Sequence, residues 1–351
     1  MTATLTDIAR KAGVSRATAA RALSGRQEVR RSALARAQRI RRIAEQLGYR
    51  PNAAAKAIST GRFKAIALVL SDRPGRGYLP DSLLRGIHDA LAERGMHLTY
   101  VRLSDEQFTD AGVLPDVLVQ FAVDGLMINY ISDVPPGLAE LIERFRIPAI
   151  WLNHRREHDC VYPDEFDAGE RLTRHLLGLG HRDVVYVGPG HEHPGSHFSS
   201  GDRFAGYRSA MTQAGLSPRH INMDLGASQA REQLDVHHDA RRVISELTPP
   251  AAVLAYDAQR AVPLLYAAAR LGREVPGDLS LATFDASRRN EIGYPLTSTA
   301  LPEDAGAQAV ELMQRKIEQP DQLLPPVVLK RRFFEGCTAG PRFAPDTPDT
   351  P

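Results

Sequence analysis

From residue 65 onward, short and almost entirely apolar runs alternate with longer stretches whose apolar residues recur at helical spacing. Strands that are apolar on both faces must be covered on both faces, which favours a parallel sheet between two layers of helices. A segment of this length suits two such sheets, with a ligand in the crevice at the carboxyl ends of the strands. The strand candidates are Ala65–Leu70, Leu98–Leu103, Gly125–Asn129, Ala149–Leu152, Val184–Val187, Ala252–Ala255 and Leu279–Phe284. The helix candidates are Asp81–Arg94, Asp167–Leu179, Arg203–Ala214, His238–Leu247 and Ala258–Leu271.

The first 62 residues differ from the rest of the chain in charge. They hold 14 Lys and Arg against three Asp and Glu, whereas the remainder holds 30 against 39. A basic segment joined to an acidic body is typical of a nucleic-acid-binding module with a second domain. The alternative is a basic helix whose charges are merely solvated.

Two short helices with a glycine between them are predicted at the start of this basic segment. Thr6 is placed to cap a helix that ends near Ala12, Gly13 supplies the positive φ of a tight turn, and Ser15 can cap a second helix through about Leu23. Such a pair is a helix-turn-helix, in which the second helix reads base edges in the major groove of DNA.

The second helix is predicted to expose Arg16, Ala17 and Arg21. Arginine can bind guanine O6 and N7 with two hydrogen bonds, worth ~1–3 kcal/mol of discrimination, whereas alanine can only touch a thymine methyl group. A third helix over about 32–47 is predicted to bury one face and to turn four arginines toward solvent or phosphates. The predicted buried residues are Leu34, Ala37, Ile40, Ile43, Ala44 and Leu47, and the arginines are Arg36, Arg39, Arg41 and Arg42.

The stretches TLTDIARKAGVSRATAARAL (4–23) and LGYRPNAAAKAI (47–58) resemble the DNA-binding head and hinge of the LacI–GalR family of bacterial transcriptional regulators. The resemblance implies that the hinge helices of a dimer enter the minor groove and that Ile58 wedges a base step, which kinks the duplex. The DNA contacts that it implies are Thr6, Ser15, Arg16, Ala17, Thr18, Arg21, Tyr49, Asn52, Ala55, Lys56 and Ile58.

The chain departs from the family pattern at three places. Lys56 and Ile58 stand where the family has arginine and leucine, and residues 19–20 are Ala-Ala where Val-Ser is usual. The interval from Val29 to Leu47 is three residues longer than usual. Because three residues add nearly one helical turn, a bulge or a longer third helix is expected to keep Tyr49 in register.

The resemblance also implies a division of the chain into a head, a hinge and a two-lobed core like that of periplasmic binding proteins. The expected order is a small all-α head over 1–48, a hinge helix over 49–61, a parallel α/β core over 62–340 and a disordered tail, rich in Pro, Asp and Thr, over 341–351. The expected first lobe is about 62–157 and 287–319, and the second about 158–286 and 320–340. Crossings are therefore expected near 155–160, 286–292 and 318–322.

Polar residues just past predicted strand ends are candidates for ligand contacts. Carbohydrate hydroxyls need paired donors and acceptors, which Asn, Asp and Arg provide, among aromatic walls such as Tyr130, Trp151 and Phe284. By the resemblance, the effector contacts are Asn129, Asn153, Arg203, Tyr256 and Asp285. Alternatively, Asn153 or Asp285 caps the loop that follows it, and Arg203 forms a salt bridge between the lobes.

Other functional sites are less well supported by the sequence. His191, His193 and His197 lie close together, but no acid–histidine helix pair or second His-x-His accompanies them, so no metal site is predicted. No G-x-S-x-G elbow and no nucleotide-binding loop occurs, so neither an enzyme nor a cofactor is expected. The two cysteines, Cys160 and Cys337, and the lack of a leader or an apolar run of membrane-spanning length fit the cytoplasm.

These observations predict a ligand-responsive repressor that binds a near-palindromic DNA operator as a homodimer and responds to a sugar or sugar derivative. By the resemblance a dimer is expected, because the tail lacks the leucine heptads with which a few members of the family form tetramers. Two alternatives share the core architecture. A transporter's solute receptor would lack the basic head, and a sugar- or nucleoside-modifying enzyme would need an acid–base or nucleophile–base pair that the spacing does not supply.

Overall fold

The chain divides into two units, Met1–Lys64 and Ala65–Pro351. The computed structural model describes residues 3–23, 31–49, 62–73, 76–77, 79–108, 123–189, 196–223, 225, 233–284 and 293–342. The predicted hinge residues 50–61, and the tail from residue 343, therefore lie outside the described residues. None of the described helices is long and apolar enough to cross a membrane.

The first unit contains three helices: α1 (Leu5–Ala12), α2 (Arg16–Leu23) and α3 (Arg31–Gln46). The prediction that Thr6 caps α1 is wrong, because the cap is Thr4. The Thr4 hydroxyl accepts a hydrogen bond from the Asp7 N–H, and the Asp7 carboxylate accepts one from the Thr4 N–H at 3.0 Å. This reciprocal pair needs a spacing of three residues, which Thr4 has and Thr6 lacks. Gly13 ends α1 with φ of 63°, as the sequence predicts.

The head core is built from small and β-branched side chains, with Ile8, Ala19 and Ile40 almost fully buried. The predicted face of α3 contributes Ala37, Ile40 and Ala44, but Leu34 near its start is 46% exposed, contrary to prediction. Leu34 does not belong to the buried cluster of the head. No bulge interrupts α3 between residues 31 and 46.

The first lobe of the second unit is a six-stranded sheet with its helices. Its strands are β1 (Ala65–Ser71), β2 (His97–Leu103), β3 (Gly125–Asn129), β4 (Ala149–Leu152), β5 (Cys160–Pro163) and β11 (Val327–Leu329), in the order β11-β5-β4-β3-β1-β2. All neighbouring strands are parallel. The helices are α4 (Asp81–Glu93), α5 (Pro136–Arg144) and α10 (Ala305–Glu318), with a short 3₁₀ helix at Asp105–Phe108.

The second lobe repeats this strand order. Its strands are β6 (Val184–Gly188), β7 (Arg219–Asn222), β8 (Ala251–Ala255), β9 (Leu279–Phe284), β10 (Thr297–Ala300) and β12 (Arg332–Phe334), in the order β12-β10-β9-β8-β6-β7. Only β12 is antiparallel. The helices are α6 (Glu165–Gly178), α7 (Phe198–Gln213), α8 (Gln233–Ser245) and α9 (Ala258–Arg270).

Each sheet is buried on both faces, which explains its continuous apolar strands. Along β1, Ile66 and Leu68 pack into the core that contains α4 and α10, whereas Ala67 and Val69 pack into the opposite core with α5. In β6, Val185 and Tyr186 likewise point into different cores. The predicted fold, a small helical head followed in the chain by two doubly wound parallel sheets, is confirmed.

The chain crosses between the lobes later than the sequence predicts. β5 and β11 belong to the first sheet, whereas the prediction assigns residues 158–163 and 327–329 to the second lobe. β10 belongs to the second sheet, although it was expected in the first lobe. The crossings therefore lie at 164, 301–304 and 330–331. These strands are only three or four residues long, so periodicity identifies them poorly.

We expect Gly306→Ala to destabilise the core by about 1–3 kcal/mol through overpacking. A Cβ at Gly306 in α10 would lie 2.2 Å from the Gly86 carbonyl carbon and 2.3 Å from the Ile87 nitrogen of α4, which are backbone atoms. Gly201→Ala is the control, because that exposed α7 glycine has open space around its Cβ position. It should raise stability slightly, by less than about 1 kcal/mol. Denaturant midpoints of the full chain measure both, and equal midpoints would contradict the close approach of the helices.

Candidate nucleic-acid interface and ligand cleft

Helix α2 separates exposed from buried residues as a recognition helix requires. Arg16, Ala17 and Arg21 are exposed, whereas Ala19 and Ala22 pack into the head core. The three side chains predicted to read bases therefore share the solvent side of one helix.

The N-terminus of α2 carries two hydroxyl groups from the predicted contact set. Ser15 Oγ accepts a hydrogen bond from the Thr18 N–H at 3.1 Å and lies 2.9 Å from Thr18 Oγ1. Ser15 is thus the cap that the sequence predicts. Thr6 is exposed on α1.

Tyr49 follows α3 and packs against the head core. Its N–H donates to the Ala44 carbonyl at 2.9 Å, and its side chain is half-buried. The other predicted hinge contacts, Asn52, Ala55, Lys56 and Ile58, lie outside the described residues.

The four arginines of α3 are all exposed, but Arg41 also has a partner within the head. Arg41 Nε donates to the Ala22 carbonyl at 3.2 Å, near the C-terminus of α2. Arg41 therefore helps to hold α2 against α3, a role that the sequence pattern did not indicate.

In the second unit, a cavity of about 620 Å³ lies between the carboxyl ends of the two sheets. Ser71 ends β1, Asn153 follows β4 and Tyr256 follows β8, and all three line the cavity. Parallel strands bring such residues to one edge of a sheet, and the cavity lies where the edges of both sheets face each other.

Arg203 lies in the second turn of α7, and its salt bridge lies within the second lobe, not between the lobes as the alternative reading expected, because its partner Glu165 is the first residue of α6. Its guanidinium pairs with the Glu165 carboxylate at 2.8 and 2.9 Å, donates to the Tyr256 carbonyl at 2.7 Å and lies 4.5 Å from the Phe284 ring centroid. Arg331, in the last crossing, also donates to Glu165 at 2.6 Å. Arg203 therefore lines the cavity while ion-paired beside the chain crossings.

Asn153 and Tyr256 line the cavity from opposite lobes. Asn153 has φ of 52°, a region that asparagine tolerates, and its N–H donates to the Val161 carbonyl at 2.8 Å. The Tyr256 hydroxyl lies 2.6 Å from Ser199 Oγ. Asp257, the next residue, caps α9 by accepting from the Arg260 N–H at 2.9 Å.

Other residues predicted near the ligand lie elsewhere. Asn129 is fully buried at the end of β3 and is not among the described residues that line the cavity, and Asp285 lies outside the described residues. Tyr130 and Phe284 are fully buried in sheet cores, and Trp151 lines a separate cavity of about 290 Å³ in the first lobe. Because β-strand side chains alternate between the two faces, a residue at a strand end can point into a core instead of the cleft.

Four further residues that the sequence pattern did not indicate as ligand contacts also line the cavity, namely Arg102, His197, Ser199 and Arg331. His197 caps α7, a role for which histidine is not a usual residue, so the helix start was predicted five residues too late. Its neighbours His191 and His193 lie outside the described residues, and the described residues contain no cluster able to hold a metal ion.

His154 follows Asn153 in the chain, and its ring centroid lies 5.6 Å from that of Trp151. Burial, reinforced by the positive charge of Arg156 and by His197, lowers the pKa of His154 to about 4. The ring is therefore neutral in the folded protein at neutral pH.

Two family patterns match the chain. The family described as bacterial regulatory proteins, lacI family, matches residues 4–52, and a periplasmic binding protein-like domain matches residues 173–336. Catabolite control protein A of Staphylococcus xylosus is 24% identical over 351 residues, covering 96% of this chain and 100% of that protein.

Solved structures share the architecture. The Lac repressor dimer bound to operator and the anti-inducer ONPF has a TM-score of 0.74 at 20% identity, covering 97% of this chain and all of that one. The transcriptional regulator CelR in complex with cellobiose has a TM-score of 0.61 at 21% identity, covering 96% and 100%. At these identities the likeness shows a common fold.

We expect folding stability to fall as the pH drops from about 6.5 toward 4, in part because of His154. The folded-state pKa lies below the ordinary value of about 6.5, so the unfolded chain binds more protons in this window. His154→Gln should lose less stability between pH 7 and pH 5 than the parent, measured by denaturant midpoints. His88→Gln, at an exposed position on α4, is the control. An identical pH dependence of stability in the parent and in His154→Gln would contradict the lowered pKa of His154.

Proposed function

Because the chain belongs to the LacI family of bacterial regulatory proteins, we propose that it is a cytoplasmic transcriptional regulator that binds an operator through its head and a sugar-like effector in its cleft. The observation that carries this proposal is that one chain joins a helix-turn-helix unit to a separate two-sheet unit whose cavity lies at the carboxyl ends of both sheets. The first unit can read DNA, and the second can hold a small molecule.

We assign recognition of the DNA sequence to α2. Arg16 and Arg21 extend from its exposed face and can each grip a guanine, and Ala17 leaves room for a thymine methyl group. Ser15, Thr18 and Thr6 carry hydroxyls suited to phosphate oxygens. The hinge residues Tyr49, Asn52, Ala55, Lys56 and Ile58 are proposed to contact the minor groove, with Ile58 as the wedge.

The operator is proposed to be near-palindromic, since two heads of a homodimer read two half-sites. The exposed apolar side chains on α9 support pairing of the cores. Tyr266 is 56% exposed and Val262 36% exposed, one helical turn apart. A Lac repressor dimer of the same fold binds its operator in the solved structure.

The effector is proposed to lie against Asn153, Arg203 and Tyr256, with Asp285, which lies outside the described residues, as a further contact; the fully buried Asn129 is left out of the proposal. Amide, guanidinium and hydroxyl groups supply the donors and acceptors that sugar hydroxyls need. CelR, with the same fold, is solved with cellobiose. The effector can change DNA affinity only by binding two arrangements of the core unequally, typically by ~1–3 kcal/mol. Repression is the proposed outcome of operator binding.

If the cleft were catalytic, Ser199 would be the candidate nucleophile and His197 its base, because Ser199 Oγ and His197 Nδ1 lie 2.8 Å apart. Ser199, however, is only 2% exposed, and its oxygen also bonds to the Tyr256 hydroxyl at 2.6 Å. A nucleophile needs an accessible oxygen near the substrate. This geometry favours a structural hydrogen-bond pair and supports a regulator over an enzyme.

DNA selection from a random duplex library tests the proposed function. The full chain should enrich a near-palindromic sequence, and Arg21→Ala should lose preference at one symmetric pair of positions, weakening binding by about 1–3 kcal/mol per contact. Arg36→Ala, on the exposed face of α3, is the matched control. It should weaken all sequences alike or change nothing. An unchanged motif for Arg21→Ala would remove Arg21 from base reading, and no enrichment by the parent would refute the regulator.

Thermal melting with cellobiose, D-glucose, D-galactose and D-ribose tests the effector class. A sugar that binds only the folded core raises its melting temperature. Asn153→Gly should abolish that rise while keeping the backbone, because glycine accepts the positive φ. Arg146→Gly, at a positive φ outside the cleft lining, is the control and should respond like the parent. Equal shifts in all three proteins would place the sugar elsewhere.

A further inference from the structure

A chain of hydrogen bonds crosses the cleft from the first lobe to the second. The Asn153 carbonyl lies 2.8 Å from His197 Nε2, and His197 Nδ1 lies 2.8 Å from Ser199 Oγ. Ser199 Oγ in turn lies 2.6 Å from the Tyr256 hydroxyl. All four residues line the cavity, so this series of hydrogen bonds is part of the cavity wall.

The direction of these hydrogen bonds is determined by the first of them, between His197 and Asn153. A carbonyl oxygen only accepts, so His197 Nε2 must carry a proton and donate it to Asn153. At the other ring nitrogen, the Ser199 backbone N–H, which can only donate, points to Nδ1 at 3.4 Å. Both contacts therefore require the neutral ring with its proton on Nε2 and a lone pair on Nδ1.

That tautomer determines the direction of the remaining hydrogen bonds. Oγ and Nδ1 at 2.8 Å would repel each other without a proton between them, so the Ser199 hydroxyl donates to His197. The Ser199 oxygen has then used its only proton and must accept from Tyr256. The single proton of the Tyr256 hydroxyl is thereby committed to Ser199.

We propose that Tyr256 presents an acceptor oxygen, not a donor, to the cleft, so the effector must carry a hydroxyl or amine proton at that point. This specificity rests on the proposed function and deepens it. A ligand with an ether, carbonyl or fluorine at this place meets lone pairs and is rejected. His197 is the positioning residue, because it orients every proton from Asn153 to Tyr256.

The tautomer of His197 is measured without any ligand. Two-bond ¹H–¹⁵N correlation spectra of the full chain labelled at histidine distinguish a protonated from an unprotonated ring nitrogen. His197→Asn, which retains a capping oxygen for Ser199, identifies the signal among the 12 histidines. Near neutral pH we expect a proton on Nε2 and none on Nδ1. A proton on Nδ1 would overturn the proposal.

Sugar analogues measure the consequence. For whichever of cellobiose, D-glucose, D-galactose and D-ribose stabilises the core most, deoxy and deoxyfluoro derivatives are compared on the parent and on Tyr256→Phe. The position that faces Tyr256 is the one where removing the hydroxyl weakens binding about three- to tenfold in the parent but not in the variant. Fluorine accepts but does not donate, so the fluoro derivative at that position should bind as weakly as the deoxy one.

The outcomes separate the two proposals. A fluoro derivative that binds the parent like the natural sugar would mean that Tyr256 donates, which refutes the inferred direction while leaving the effector class intact. Stabilisation by none of the four sugars would refute the sugar effector, whereas the histidine spectra would still decide the direction of the hydrogen bonds.

Discussion

The second unit depends on the need to cover both faces of two parallel sheets. Central strands such as β1 and β6 are buried on both sides, so their side chains serve packing alone. Polar side chains that can reach a ligand are then expected mainly where the strands end. Both sheets have the same strand order, so their carboxyl ends provide two similar edges. The cavity between these edges follows from topology, and the lining residues determine only which molecule fits.

Glu165 links this cavity to the segments that join the lobes. Its carboxylate, 1% exposed, binds Arg203 on one side and Arg331 in the last crossing on the other. Removing one partner of a buried ion pair costs about 3–5 kcal/mol, because a charge is left without compensation. A molecule that displaced Arg203 would therefore act directly on the crossing. This gives the proposed effector a physical route from the cleft wall to the relative position of the lobes.

Strong local signals made parts of the structure predictable. Gly13 and Ser15 predicted the turn of the helix-turn-helix, and the apolar runs of β1 and β8 indicated buried strands. The short strand β7, half exposed, carries no such signal. Helix α7 was predicted to begin too late because its cap is His197, not one of the usual capping residues. The actual cap of α1, Thr4, was recognisable from its spacing to Asp7.

The candidate cleft shows a similar limit. Position after a strand predicted that Asn153 and Tyr256 would reach the cavity, but the same argument failed for Asn129, which is fully buried. Sequence position cannot give the direction of a hydrogen bond, since that depends on His197 meeting a carbonyl from the other lobe. An effector shifts an equilibrium only through contacts that differ between its two states. The Asn153–His197 bond joins the two lobes, so its geometry changes if the lobes move. His197, which determines the direction of the proposed hydrogen bonds in the cleft, therefore also responds to the relative position of the lobes. Ligand selection and lobe movement thus depend on the same few atoms.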